Sequence, residues 1–319
     1  MSAQLKASLP ELYQQLLPSP WLDLNVEEKR STCNNCAMCS VPEFPGGVQF
    51  VPSAKCCTFW PSLPNYLVGS LLADRSGRFL EGQRRMRAQI QAAVAATPLQ
   101  AAVTTTPFGV GPADEYLERL HANRTAEFGR NENLLCPYFE RGSGGCTIWA
   151  HRDSDCTSFF CKFENGRHFE FWRQLGATLA LIERGLSVHA KQIVEQEFTF
   201  ESDPERFYVR TFSWVSQLTA EQLPSLLGEP WQRRQHELAR AMDQLVDPPP
   251  PERVRLARRL TVMKSEALVS LQTYNEYDPL VVPGTIFSTL EAAGEHGVPL
   301  AELAEYAQAL LNHEVVEGV

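Results

Sequence analysis

Nine cysteines fall between positions 33 and 161, and the rest of the chain has none. The first block reads Cys33-Asn-Asn-Cys36-Ala-Met-Cys39 and is followed by the doublet Cys56-Cys57. The second runs from Cys136-Pro137 through Cys146 and Cys156 to Cys161. Thiols packed this densely in a chain large enough to bury its own core are not needed as disulfide staples, which serve small secreted domains. Their chemistry is that of a thiolate metal site, and soft thiolate donors select zinc, copper(I) or iron–sulfur clusters. All nine, Cys33, Cys36, Cys39, Cys56, Cys57, Cys136, Cys146, Cys156 and Cys161, are candidate ligands, with at least one of the doublet included.

Spacing separates the candidate metals. Structural zinc usually takes two thiolates from each of two turns. The triple Cys33-x2-Cys36-x2-Cys39 instead brings three from one loop, as bacterial ferredoxins do, and Cys136-Pro137 repeats the cysteine-before-proline of that pattern. An iron–sulfur cluster is the preferred cofactor and zinc the alternative. A simple division joins Cys33, Cys36, Cys39 and one of the doublet in one half, and Cys136, Cys146, Cys156 and Cys161 in the other. Four thiolates on one zinc leave a net charge of about −2. Lys55, Arg141, Arg152 and Lys162 stand beside ligand candidates and could offset it. Phe59, Trp60, Trp149, Phe159, Phe160, Phe163, Phe169, Phe171 and Trp172 are close enough in sequence to form a dry shell. His151 and His168 read as surface or supporting residues, and Asp153 and Asp155 as solvated loop carboxylates.

The elements that must position these residues are mainly helical. Apolar residues at helical spacing predict short helices at 9–17 and after Pro64, where Tyr66, Leu67, Leu71 and Leu72 mark one side. A longer helix is predicted at 79–96, with Phe79, Met86, Ile90 and Val94 on one face and Arg84, Arg85 and Arg87 on a solvated one. Residues 97–112 read as extended or looped, and 113–128 as helix with Tyr116, Leu117 and Leu120 inward. The Gly142–Gly145 run predicts a tight turn into Cys146; a phosphate loop would need a strand before it and a helix after. A long cysteine-free helix follows from about 167, then helices at 230–246, 252–271 and within 284–319. The expected fold is mainly α, with an irregular, loop-rich cysteine metal-binding domain wrapped by helices and a helical C-terminal half. The divisions are 1–32 as N-terminal helix and lead-in, 33–165 as cysteine-cluster domain, and 166–319 as helical C-terminal region.

Composition narrows the function classes. A net charge of −9 argues against nucleic acid as the main partner. No stretch reaches the roughly 18–20 apolar residues of a membrane span, so a membrane partner is not expected. The N-terminus lacks the pattern of a secretion signal, and the expected compartment is cytoplasmic, where thiols stay reduced. Walker, dinucleotide, HExxH and GxSxG motifs are absent from the sequence. The partner is expected to be a protein or a small molecule.

In order along the chain, Cys33-x2-Cys36-x2-Cys39, Cys136-Pro137-Tyr138-Phe139, Gly145-Cys146-Thr147-Ile148-Trp149 and Arg152-x3-Cys156-x2-Phe159-x-Cys161 resemble the YkgJ-type cysteine-cluster family. The likeness spans 33–165. It implies zinc or iron chelation and, through the flagellin lysine N-methylase that the family includes, an iron–sulfur cluster with redox or methyl-transfer activity. Ala37 and Ser40 depart from the family's Cys-Gly-x-Cys-Cys block, and Asp153 and Thr157 from its Arg-Pro and Cys-Arg. The alternative is a non-enzymatic module in which zinc organises the fold.

Overall fold

The structure, a computed structural model, describes residues 2–27, 36–40, 49–95, 103–122, 127–159 and 169–246. These belong to one compact unit, Met1–Asp247. The helices predicted at 252–271 and within 284–319 lie outside the described residues, as do Cys33 and Cys161.

In chain order the elements are β1 (Ser2–Gln4), α1 (Leu5–Ser8), α2 (Glu11–Leu16), α3 (Ser19–Leu22) and β2 (Asn25–Glu27). Next come β3 (Leu63–Pro64), α4 (Asn65–Ala73), α5 (Leu80–Ala95), β4 (Val103–Thr106), β5 (Gly109–Pro112) and α6 (Asp114–Ala122). Then follow β6 (Phe139–Glu140), β7 (Gly145–Cys146), α7 (Ser154–Thr157), α8 (Phe169–Val194), α9 (Pro204–Val215), α10 (Leu223–Leu227) and α11 (Glu229–Val246). The fold is mainly α. The strands form small antiparallel ladders, β1 with β2, β3–β5–β4, and β6 with β7.

The axis of the fold is α8. Its 26 residues rise about 39 Å at 1.5 Å each. Phe171, Leu175, Leu179, Ile182, Leu186 and Ala190 recur every three or four positions and are all buried. Against this stripe pack Leu5, Tyr13 and Leu16 from the N-terminus, Val215 of α9, and Trp231 and Leu238 of α11. Within the 1–32 lead-in, Leu22 of α3 and Val26 of β2 are buried in this core, and the pairing of β2 with β1 sets Val26 opposite Ala3.

A second core lies on the other side of α4. Tyr66 and Leu67 face the first, while Val68, Leu71 and Leu72 join Phe79, Met86 and Ile90 around α5. Helices α4 and α9 cross so closely that a Cβ built on Gly69 would lie 1.9 Å from the Tyr208 carbonyl oxygen. Asp203 caps α9 by accepting from the Arg206 amide at 3.0 Å, ahead of Pro204 in the first helical turn. The 97–112 stretch, read as extended, is a hairpin where described, with Thr105 opposite Val110. The second core ends at Cys136, Tyr138 and Ile148, where the cysteine segments begin.

Candidate functional site

Little regular structure carries the cysteines, so hydrogen bonds between distant segments hold them. Cys56 and Cys57 ride on a 3-10 turn, Lys55–Thr58. Lys55 sits at φ 54°, a left-handed conformation costly for a residue with a side chain. It is held there by its amide donating to the Val51 carbonyl at 2.9 Å and by Nζ donating to the Gly144 carbonyl at 2.6 Å. The second bond ties the doublet to the β6–β7 turn, where the Gly142–Gly145 run makes the expected reversal before Cys146. The Cys136 amide donates to the Cys57 carbonyl at 2.6 Å, and the Thr147 amide and hydroxyl both donate to the Tyr138 carbonyl at 2.9 Å.

Two helices reach in to fix these segments. Arg85 of α5, read from sequence as part of a solvated face, instead donates to the Pro137 and Phe139 carbonyls at 2.9 and 2.8 Å and pairs with Glu140. Gly82, one position short of a turn earlier on α5, faces Thr147, and a Cβ there would lie 2.4 Å from the Thr147 carbonyl oxygen. Glu183 of α8, buried at 7% exposure, accepts from the Tyr13 hydroxyl and from the Ser154 amide and hydroxyl. It thereby pins α7, the helix that carries Cys156.

Asp153 caps α7 by accepting from the Cys156 amide at 2.9 Å. It is buried at 2% exposure, which corrects its reading as a solvated carboxylate. Asp155 is exposed, as expected. His151 is a supporting residue: its Nδ1 lies 2.9 Å from the Ser70 hydroxyl and its Nε2 3.3 Å from Asp74. Burial lowers its proton affinity against the opposing pull of Asp74.

These ties place Cys56, Cys57, Cys136, Cys146 and Cys156 around one cavity of about 60 Å³. Arg152 lines it too, and its other walls are aromatic or aliphatic, among them Phe59, Phe139, Trp149 and Phe159. Both members of the doublet thus line one cavity with Cys136, Cys146 and Cys156 of the second block. Cys36 and Cys39 bracket a neighbouring 3-10 turn, where the Cys39 amide donates to the Cys36 carbonyl at 3.0 Å. No disulfide joins the seven described cysteines.

The thiols of Cys39, Cys56, Cys136 and Cys156 are pushed above the ordinary thiol range. The Cys56 thiol is raised by its hydrogen bond with Cys57 and then by burial. Cys136 and Cys156 are raised first by burial, then by Cys146 and by Asp153 respectively. Cys39 is pushed up to about 12 by burial and by Cys36, against a lowering from Lys55. A metal entering here must displace those protons, since thiolates and not thiols are ligands. Among the described residues no group of three or more His, Cys, Asp or Glu side chains is arranged to hold a metal ion. The donor set nevertheless suits a soft metal: five sulfurs, one guanidinium and apolar walls on one cavity.

Of the other expected contributors, Arg141 is exposed, paired with Glu132 at 2.9 Å and not part of the cavity lining. Phe171 and Trp172 belong to the core around α8. Lys162, Phe160, Phe163 and His168 lie outside the described residues. Sequence reasoning missed Arg85 and Glu183. A signal for Glu183 was present, since it is a carboxylate set among Leu179, Ile182 and Leu186 on a buried stripe. Compared with protein-family models, curated proteins and solved structures, the chain has no match.

Proposed function

We propose that this chain is a metalloprotein whose clustered cysteines hold an iron–sulfur cluster. The observation that carries the reading is the convergence of Cys56, Cys57, Cys136, Cys146 and Cys156, distant in sequence, on a single apolar cavity. Those residues would hold the cluster, with Cys36 and Cys39 near enough to Cys56 for Cys39 to feel its charge. More sulfurs are present than one zinc requires. The aromatic walls supply the dry shell that sets a cluster's potential. A bound cluster supplies electron transfer, and the family resemblance adds redox or methyl-transfer chemistry on a protein or small molecule. The chain's own residues hold the thiol-bearing segments in register, through Lys55, Arg85 and Glu183. Among the described residues no helix is long and apolar enough to cross a membrane.

Anaerobic purification tests the reading. Iron and acid-labile sulfide should accompany a brown chromophore. A colourless protein with stoichiometric zinc would sink the cluster and leave a second reading, a non-enzymatic module organised by zinc. One observation favours that module: the cysteine segments have short ladders and turns but few regular elements, so metal binding would contribute folding energy directly. Chelation should then unfold the cysteine segments. Cooperative unfolding that survives metal removal would count against it. A chain that takes up neither metal overturns both readings.

A further inference from the structure

Arg152 is the charged residue lining the thiol cavity, and among the described residues it has no ion pair. It is 7% exposed and lines the cavity with the five cysteines. Its Nε donates to the Trp149 carbonyl at 2.8 Å, and its guanidinium carbon lies 3.4 Å from the centre of the Trp149 ring. Among the described residues its two terminal nitrogens have no hydrogen-bond partner, and no carboxylate stands within ion-pair distance of them. Asp153 is its neighbour in sequence, but that carboxylate turns to the Cys156 amide. The field of Arg152 reaches both Asp153 and the Cys56 sulfur.

A buried cation without an anion is costly, and stacking on an indole recovers only part of the cost. In the metal-free protein no carboxylate among the described residues lines the cavity to offer it a charge in return. A centre of several thiolates reverses this. Four thiolates on zinc carry a net charge of about −2, and a guanidinium beside them in an apolar cavity is strongly attractive because the local dielectric is low. One side chain therefore opposes the metal-free fold and favours the metal-bound one. Lys55, the other cation near these sulfurs, is already engaged with the Gly144 carbonyl.

We propose that Arg152 is the counter-cation of the thiolate centre, positioned by Trp149 to select an occupant of net negative charge. The inference rests on the metal-centre reading given above and assigns this arginine its part in it. It distinguishes the residue from a packing element, because packing and charge compensation predict opposite effects of its removal on the metal-free chain.

The test compares full-length wild type, R152K and R152M, each measured metal-free and with zinc(II) competed against a chromophoric chelator. R152M should bind zinc about 10–100-fold more weakly, the loss typical when a group supporting metal ligands is removed. Its metal-free thermal midpoint should equal or exceed that of wild type. R152K, which keeps the charge, should recover most of the affinity. An R152M chain that binds zinc as tightly as wild type overturns the inference. So does one that fails to fold without metal, or that loses affinity and metal-free stability together with no rescue by R152K. A wild-type chain that takes up no zinc and no iron overturns the metal-centre reading, and the counter-cation falls with it.

Discussion

At the scale of single residues, the strongest commitments are polar groups the fold has buried. Glu183 carries the clearest consequence. Burial, and then the nearby Asp153 carboxylate, push its carboxyl up to about 8 from an ordinary value of 4.5, against the lowering effect of the Ser154 and Tyr13 hydrogen bonds. In the unfolded chain Glu183 ionises near 4.5, whereas in the folded chain it keeps its proton until about pH 8. Between those values the folded state binds more protons, so stability is full below pH 4.5 and falls as the pH rises towards 8. Replacing it by glutamine, which stays neutral, should flatten part of that decline in the metal-free protein. Urea midpoints measured from pH 4.5 to 8 would show it, and parallel curves for wild type and E183Q would refute the assignment. Asp153 is the other buried carboxyl of this network, and its value as the cap of α7 follows from the Cys156 amide it accepts.

At the scale of elements, two helices meet their neighbours through glycine, with different consequences. Gly69 lets α4 lie against the backbone of α9, and Gly82 lets α5 lie against the backbone of Thr147, just after Cys146. Alanine at either position forces backbone apart, which costs about 1–3 kcal/mol in overpacked sites. Both G69A and G82A should therefore lower the unfolding midpoint. Only G82A should also reduce metal uptake, because the carbonyl it displaces is that of Thr147, next to Cys146. Equal metal content in the two variants at equal temperature would show that the position of α5 does not govern the cavity. Arg85 belongs to the same interface. The apolar face predicted for 79–96 is present in Met86 and Ile90, but periodicity alone had no means of showing that Arg85 would turn to the Cys136 segment.

At the scale of the molecule, one long helix serves both the general core and the cysteine cavity. The face of α8 that buries Leu179 and Leu186 also presents Glu183 to Ser154 and Tyr13. The N-terminal segment is therefore part of the support for the cavity. Deleting residues 2–27 would uncover the α8 stripe and remove the Tyr13 hydroxyl from Glu183. The shortened chain should lose its cooperative thermal transition and bind a hydrophobic dye. An unchanged circular-dichroism melt would show that this segment contributes nothing to the fold.

The sequence by itself determined the helical character, through apolar residues at three- and four-residue spacing in α5, α8 and α11, and the existence of a concentrated set of thiols. Those features are local, since a helix declares its buried face within a few turns and cysteines declare their donor atoms by type. Which thiols meet was decided only by tertiary structure. The doublet joins Cys136, Cys146 and Cys156 because Cys136 bonds to the Cys57 backbone and Lys55 reaches the Gly144 carbonyl, contacts between positions far apart in sequence. The same is true of charge. In a linear reading Asp153 is a solvated loop carboxylate and Arg152 a cation beside candidate ligands, yet packing buries both and gives them different partners, an amide for the carboxylate and an indole face for the guanidinium. Burial depends on every segment that closes over a residue, and no local pattern encodes it.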